Sequence, residues 1–423
     1  MVIRSFEILS LFLLTMALLC PIAAADSEEL RSFTDDCGRT MMLPVTINNV
    51  SPSGPLAQIV LYSIDPDLLV SIASSYSDEQ LKYIDPRVAG LPVTGQFYGA
   101  KSTMNPEEIM EMDKKIGISL VLDTGEAKAT VKEDLDAISE QTGINFAFVT
   151  QNKLHQIADS YLVFGDLLGR KEECAKLSKY VSDLMNEFDA GMAKVGDNKK
   201  SIIYVTAVKG NSVSLVGSGE KSYHGEVVNM LGNNLAKPAV SSGGNGDEYT
   251  TEDILGMNPD IIIVAYAPNH AYYNEIMNSA EWQYLDAVKS GNVYEAPYGP
   301  YSWMGGPPSV QRLLSMIWIG NLMYPDVFDY DVKERAKEFY ELFFHYKLSD
   351  EELKELMIHA ERNAGSQTAG AQTGAVTAAP TSSAASTANT PANTPAASSA
   401  KSPAPLAALI VSLIAAAYVA KRR

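Results

Sequence analysis

Short apolar runs alternate with helical periodicity along most of the chain. Between Ile47 and Thr150 the runs Leu68 to Ala73, Leu91 to Thr94, Ile118 to Leu122 and Phe146 to Val149 read as strands, separated by helices starting near Pro55, Asp78, Asn105 and Val131. The alternation returns after Ser201 in Ile202 to Val208, Ile261 to Tyr266 and Val293 to Ala296. Strands that alternate with helices predict a parallel sheet covered on both faces, and the unbroken apolar stretch after Asp260 fits a strand buried on both sides. The expected fold class is α/β, with two Rossmann-like lobes.

Between these stretches, Lys153 to Val195 contains no strand-like segment. From Arg170 to Met192 there is no proline, and Cys174, Leu177, Val181, Leu184, Met185 and Phe188 recur at helical spacing. One long helix is expected to join the lobes, with the ligand-sized space between them. After Pro308 the pattern is helical again, in Val310 to Trp318, Val332 to Tyr346 and Asp350 to His359, and these helices are expected to pack on the second lobe. The expected domains are an N-terminal lobe over 26–160, a connecting segment over 161–196 and a C-terminal lobe with terminal helices over 197–363.

Both ends of the chain differ from this body. Residues 1–25 carry Arg4, an apolar stretch and the small-residue site Ala23, Ala24, Ala25, the pattern of a secretory signal cleaved before Asp26. A lipid anchor on Cys20 is the weaker reading, because Leu19 is bulky. Residues 364–405 form an Ala/Ser/Thr/Pro tract unable to bury a core, expected to be a solvated stalk. Residues 406–423 hold a short apolar run followed by Lys421, Arg422 and Arg423, which reads as a membrane anchor or sorting signal. It resembles the C-terminal sorting signals of archaeal surface proteins, but has Pro403, Ala404 and Pro405 in place of Pro-Gly-Phe. The body is therefore expected on the extracellular face of the membrane.

Charge narrows the partners. The chain has 33 basic and 51 acidic residues; setting aside Arg4, Glu7, Lys401 and the three terminal basic residues leaves 28 and 50, a body charge of −22. No nucleic-acid partner is expected from this charge. Cys37 and Cys174 either pair or remain thiols, and Asn49-Val50-Ser51 is a glycosylation sequon whose use requires exposure.

Two helices share a layout. Asn105-Pro106-Glu107-Glu108-Ile109 opens a helix that feeds the strand Ile118 to Leu122, and Thr250-Thr251-Glu252-Asp253-Ile254 opens one that feeds Ile261 to Tyr266. Capping by Asn105 or Thr251, with acidic residues at the positive helix end, accounts for these residues structurally. Taken with Thr34-Asp35-Asp36-Cys37-Gly38-Arg39-Thr40, Pro44, Phe339-Tyr340 and Leu348-Ser349-Asp350-Glu351-Glu352, the layout resembles the solute-binding proteins of ABC importers for iron-siderophores, haem and cobalamin. The resemblance spans about Phe33 to Ile358. It implies that Glu107 and Glu252 dock into arginine pockets of a permease, that ATPase subunits complete the importer, and that the receptor acts as a monomer on a metal chelate.

Ligands of open α/β sheets meet loops at the carboxyl ends of strands. These loops supply Ser53, Gln96, Phe97, Tyr98 and Asp123 from the first lobe and Tyr223, His224, Tyr266, His270, Tyr298, Tyr301 and Trp303 from the second. The aromatic rings suit a flat chelate or macrocycle. In particular, Tyr298 to Gly306 is rich in glycine and proline, and its exposed aromatics are expected to contact ligand; Trp303 and its neighbours sealed far from any opening would overturn the receptor reading. Lys209 is the cation expected in the cleft, and no arginine is expected there, which weakens an oxyanion ligand. No bare metal site is expected, since the first lobe offers no histidine at a strand end, and no cofactor is expected.

Among other classes, enzymatic nucleophile elbows, phosphate loops and His-Glu-x-x-His are absent, so no catalysis is expected. A metal chelatase, an oxyanion or metal-ion binder of the same fold, and a surface adhesion protein remain as alternatives.

Overall fold

The centre of each lobe is a set of largely buried strands. In the first lobe Val50–Pro52 (β3), Leu120–Gly125 (β4) and Phe146–Thr150 (β5) form a parallel sheet in the order β3-β4-β5, and all six residues of β4 are buried, including Asp123 and Thr124. This computed structural model describes residues 29–98, 102–239 and 246–362. The expected signal segment, stalk and anchor lie outside the described residues. Among the described residues, no helix is long and apolar enough to cross a membrane.

Ahead of the first sheet, Leu30–Thr34 (β1) and Thr40–Pro44 (β2) form an antiparallel hairpin. Its turn explains the Thr34 to Thr40 motif: the Asp35 carboxylate accepts hydrogen bonds from the amides of Cys37 and Arg39 and from the Arg39 guanidinium, and also faces the Phe148 amide. Asp36 accepts from the Thr150 amide at 2.6 Å. The motif thus pins the hairpin to β5. Cys37 and Cys174 are unpaired. Asn49 is half-buried, and its amide donates to the carbonyls of Ile116 and Gly117 at 2.7 and 2.8 Å, so sequon use would strip a helix end of two hydrogen bonds.

The strands expected at Leu68 to Ala73 and Leu91 to Thr94 are reduced to single bridges, Val50 to Leu69 and Ile72 to Val93. In the second lobe, Ser201–Lys209 (β6), Ser212–Leu215 (β7), Asn233–Asn234 (β8), Asp247–Thr250 (β9), Ile261–Val264 (β10) and Val293–Glu295 (β11) form one sheet, ordered β11-β10-β6-β7-β9 with β8 beside β6. Its β11, β10, β6 and β8 are parallel, but β7 and β9 run antiparallel to their neighbours. The sheet is therefore mixed rather than parallel. The cause is a tight Gly210-Asn211 turn, with Gly210 at φ +56°, which returns the chain beside β6.

Helix Lys171–Val195 joins the lobes, and its 25 residues span about 37 Å. Its buried stripe includes Cys174, Leu177, Val181, Leu184, Met185 and Phe188, as the periodicity requires. It packs against helix Ile157–Leu168, from which it is separated by Gly169 at φ +68°. A Cβ on Gly165 would lie 2.9 Å from the Cβ of Cys174, so the close approach of these helices depends on that glycine.

Helix Arg312–Met323 is almost wholly buried, and Gly320 within it faces Leu231 and Phe328. Helix Val332–Phe343 packs on helix Arg312–Met323 as expected, and it also reaches the first lobe and the connecting segment. Phe343 sits 6.1 Å from Tyr161 and 5.5 Å from Tyr180, ring centre to ring centre, and Tyr340 sits 5.9 Å from Tyr83. Its amphipathic face is covered in part by Tyr83 of the first lobe and by Tyr161 and Tyr180 of the connecting segment. One apolar cluster consequently runs from Leu43 and Val60 through Val181 to Trp318 and Phe339.

Candidate functional site

A cavity of about 350 Å³ opens at the carboxyl ends of β3, β4 and β5. The sheet places each wall. Ser53 follows β3, Asp123 and Gly125 end β4, and Gln151 follows β5, while Tyr223, His224, Pro307 and Pro308 close the space from the second lobe. Leu56, Val131 and Phe148 give it an apolar floor.

Helix Pro55–Ile64 points its first turn into this space. Gly54 precedes it and no side chain caps it, so its leading amides are available to oxygen atoms of a ligand. The Gln96 to Tyr98 loop is held beside β3 by the Phe97 amide, which donates to the Ser53 carbonyl at 2.7 Å. Gly95 has φ +82°, and a Cβ there would meet Thr103 at 2.8 Å, so only glycine fits that bend.

Asp123 is the buried charge of the site. Ser53 Oγ donates to its carboxylate, yet burial pushes its pKa from the ordinary 3.8 up to about 6, with Ser53, the Thr124 amide and Lys128 acting in the opposite direction. At the mouth, exposed Lys128 sits 4.4 Å from the Tyr98 ring centre, a cation–π contact, with Glu126 nearby on the same wall. His224 Nδ1 lies 3.2 Å from the Gly305 carbonyl, and because a carbonyl only accepts, Nδ1 carries the proton. Burial lowers the His224 pKa. The ring is thus neutral near pH 7, with Nε2 an acceptor able to meet a ligand proton or metal.

Six residues expected from the sequence meet here: Ser53, Gln96, Tyr98, Asp123, Tyr223 and His224. Six do not. Phe97 turns into the apolar layer beside Phe146, 5.8 Å between ring centres. Tyr266 and Tyr298 stack on each other at 4.9 Å away from the cavity walls, with His270 edge-on to Tyr266.

Tyr301 and Trp303 are buried in the core, at 4% and 0% exposure. Trp303 donates to Tyr340 Oη at 3.3 Å and lies edge-on to Trp318. The aromatic gap expected around Trp303 is therefore not there; terminal helices cover that loop, and the receptor reading rests on the other cavity instead. Lys209 also lies elsewhere, in the exposed β6–β7 hairpin, and Lys128 is the cation of the site.

Arg312, absent from the expected cleft, stands directly behind it. It is 1% exposed and reaches the Tyr223 carbonyl at 3.3 Å and the Glu226 carboxylate at 2.6 Å. Its neighbours Pro307 and Pro308 line the cavity. Nothing in local periodicity reveals this residue, because its partners lie about ninety positions away.

Glu107 and Glu252 are both exposed in the first turns of helices Pro106–Ile116 and Thr251–Met257. Asn105 caps the first through the Glu107 amide. The second is capped by Thr250 rather than Thr251, in a reciprocal bond with Asp253, because Thr251 is already buried inside the helix.

A profile of the periplasmic binding protein family matches residues 119–298. The chain has the fold of solved solute-binding proteins of ABC transporters, the fold that the sequence resemblance implies. Its likeness to the ABC transporter solute binding protein from Sulfurospirillum deleyianum DSM 6946 has a TM-score of 0.68 and 24% identity, covering 78% of this chain and 99% of that one. For the periplasmic solute binding protein from Veillonella parvula DSM 2008 the values are 0.64 and 25%, covering 78% and 97%. Among curated relatives, the Fe(3+)-citrate-binding protein YfmC of Bacillus subtilis (strain 168) is 23% identical over 220 residues, 52% of this chain and 65% of that relative.

Proposed function

We propose that the protein is an extracytoplasmic receptor that captures a compact ferric chelate in the cavity between its lobes and delivers it to an ABC permease. The observation that carries this reading is a cavity walled from both lobes, with Ser53, Asp123 and the uncapped helix Pro55–Ile64 on one side and Tyr223 and His224 on the other.

The volume, about 350 Å³, lies at the small end of ligand pockets and favours a small carboxylate or hydroxamate chelate over a haem or corrinoid. Helix amides and Lys128 supply attraction for oxygen-rich anionic ligands, and Tyr98 and Tyr223 supply ring faces. The Fe(3+)-citrate relative points the same way. Glu107 and Glu252, exposed in the first turns of their helices, are the residues assigned to permease docking in this reading, since separated charges fix orientation and speed encounter. Transport of this kind needs no reaction at the cavity, and the receptor is assigned none.

The test is isothermal calorimetry of the purified protein against ferric citrate, hydroxamate and catecholate chelates, haem, cobalamin and molybdate. Trp282, Trp303 and Trp318 are all core residues, so heat is a better reporter than tryptophan emission. Submicromolar binding of a small ferric chelate, lost in Tyr98→Ala with Tyr223→Ala, supports the assignment. Binding only of haem, cobalamin or molybdate overturns the ligand class, and binding of none overturns the receptor.

A further inference from the structure

We propose that His270, Glu295 and His359 form a second site, separate from the chelate cavity, that binds one divalent cation of the zinc class. Three distant parts of the chain bring these side chains together. His270 directly precedes helix Ala271–Asn278, Glu295 ends β11, and His359 lies in the turn beyond helix Asp350–Leu356.

One ligating atom from each lies within 4.8 Å of the other two. A tetrahedral zinc site with bonds near 2.0–2.1 Å separates its donor atoms by about 3.3 Å, so modest side-chain rotation completes it. Two features hold the donors ready. The Glu295 amide donates to the His359 carbonyl at 3.0 Å, which fixes the His359 backbone beside β11. Tyr273 stacks on the His359 ring at 4.1 Å, and the His270 ring meets His359 edge-on at 4.7 Å.

Glu295 supplies the independent sign of a missing partner. It is 4% exposed, and among the described residues no lysine or arginine forms an ion pair with it. One carboxylate oxygen engages His270 Nδ1; the other, Oε1, is buried and makes no hydrogen bond, although the Ala267 amide lies near enough to favour the charged form. A buried carboxylate with an unused oxygen is costly without a cation.

Two imidazoles and one carboxylate select zinc, cobalt, nickel or copper over magnesium or calcium. His270 is about one-third exposed, leaving a side of the site open for water as a fourth ligand. A bound cation would clip the end of the folded body to β11 and close the span from Glu295 to His359.

The experiment uses the full chain, stripped with a chelator and titrated with Co²⁺ and then Zn²⁺. The expected result is one Co²⁺ per chain with the visible absorption of a four- or five-coordinate centre, displaced by Zn²⁺, and a rise in melting temperature with Zn²⁺. His359→Ala and His270→Gln should each weaken Co²⁺ binding at least about tenfold, whereas Tyr98→Ala should not change it. Circular dichroism reports whether each variant folds; if one does not, Glu295→Gln replaces it in the same titration. A silent Co²⁺ spectrum, or unchanged binding in folded variants of these residues, overturns the site.

Discussion

The guanidinium of Arg312 and the carboxylate of Glu226 meet at 2.6 Å, and the second Glu226 oxygen accepts the amide of Leu154 at 3.1 Å. Leu154 follows β5 of the first lobe, whereas Arg312 and Glu226 belong to the second. A single carboxylate therefore joins the two lobes beside the cavity. The same arginine holds the Tyr223 carbonyl, so the pair also places the wall residues Tyr223 and His224.

Removing one partner strands the other in the interior. Arg312→Ala is expected to cost about 3–5 kcal/mol, since a buried charge loses its counterion. Urea denaturation should show this loss, and calorimetry of residual folded protein should show weaker chelate binding as the Tyr223 loop relaxes. Unchanged stability would contradict the buried pairing.

Asp123 predicts the direction of a pH dependence. Its pKa is about 6 in the folded protein against 3.8 ordinarily, so between these values the folded state holds more protons than the unfolded state. The Asp123 contribution to stability therefore falls as pH rises from about 4 to 6 and is flat above; two units correspond to about 3 kcal/mol. Asp123→Asn should remove this slope in denaturation curves collected across that range. A slope that survives the substitution would assign it to another group.

Lys128 sits at the cavity mouth over Tyr98. Lys128→Ala should weaken an anionic chelate about three- to tenfold, mainly through slower association, and the difference from the parent should shrink in high salt. Stopped-flow binding at two ionic strengths checks both parts.

For the exposed pair Glu107 and Glu252, the double alanine variant should keep its chelate affinity and lose uptake. Each lost cap-region charge costs only about 0.3–1 kcal/mol of helix stability, so folding should be intact. Uptake in cells carrying the cognate permease, set beside calorimetry, separates docking from ligand binding.

Much of the architecture was readable because burial on both faces leaves unbroken apolar runs: β4, β5, β6, β10 and β11 fall where those runs lie, as does helix Lys171–Val195. Six cavity residues followed from the rule that ligands meet strand ends. Trp303 and Tyr301 misled because glycine and proline exclude regular structure without guaranteeing exposure. Helices that come later in the chain roof that loop, and the Tyr340 hydroxyl oxygen accepts the hydrogen bond of the Trp303 indole.

Lys209 had a legible warning in Gly210-Asn211, a two-residue hairpin signal. Arg312 had none, since its value depends on Glu226 and Tyr223. The cluster of His270, Glu295 and His359 was equally hidden, its members being scattered over ninety positions and converging only in the folded chain.

Helix Val332–Phe343 works as a strap, fed from one half of the molecule and fastened on the other. Swinging the halves widely apart would drag Phe339, Tyr340 and Phe343 into water, at about 1.5–3 kcal/mol for each ring. On the proposed receptor reading, a ligand would then enter and leave by movements of the rim, with the wall around Tyr223 yielding rather than the two lobes swinging apart.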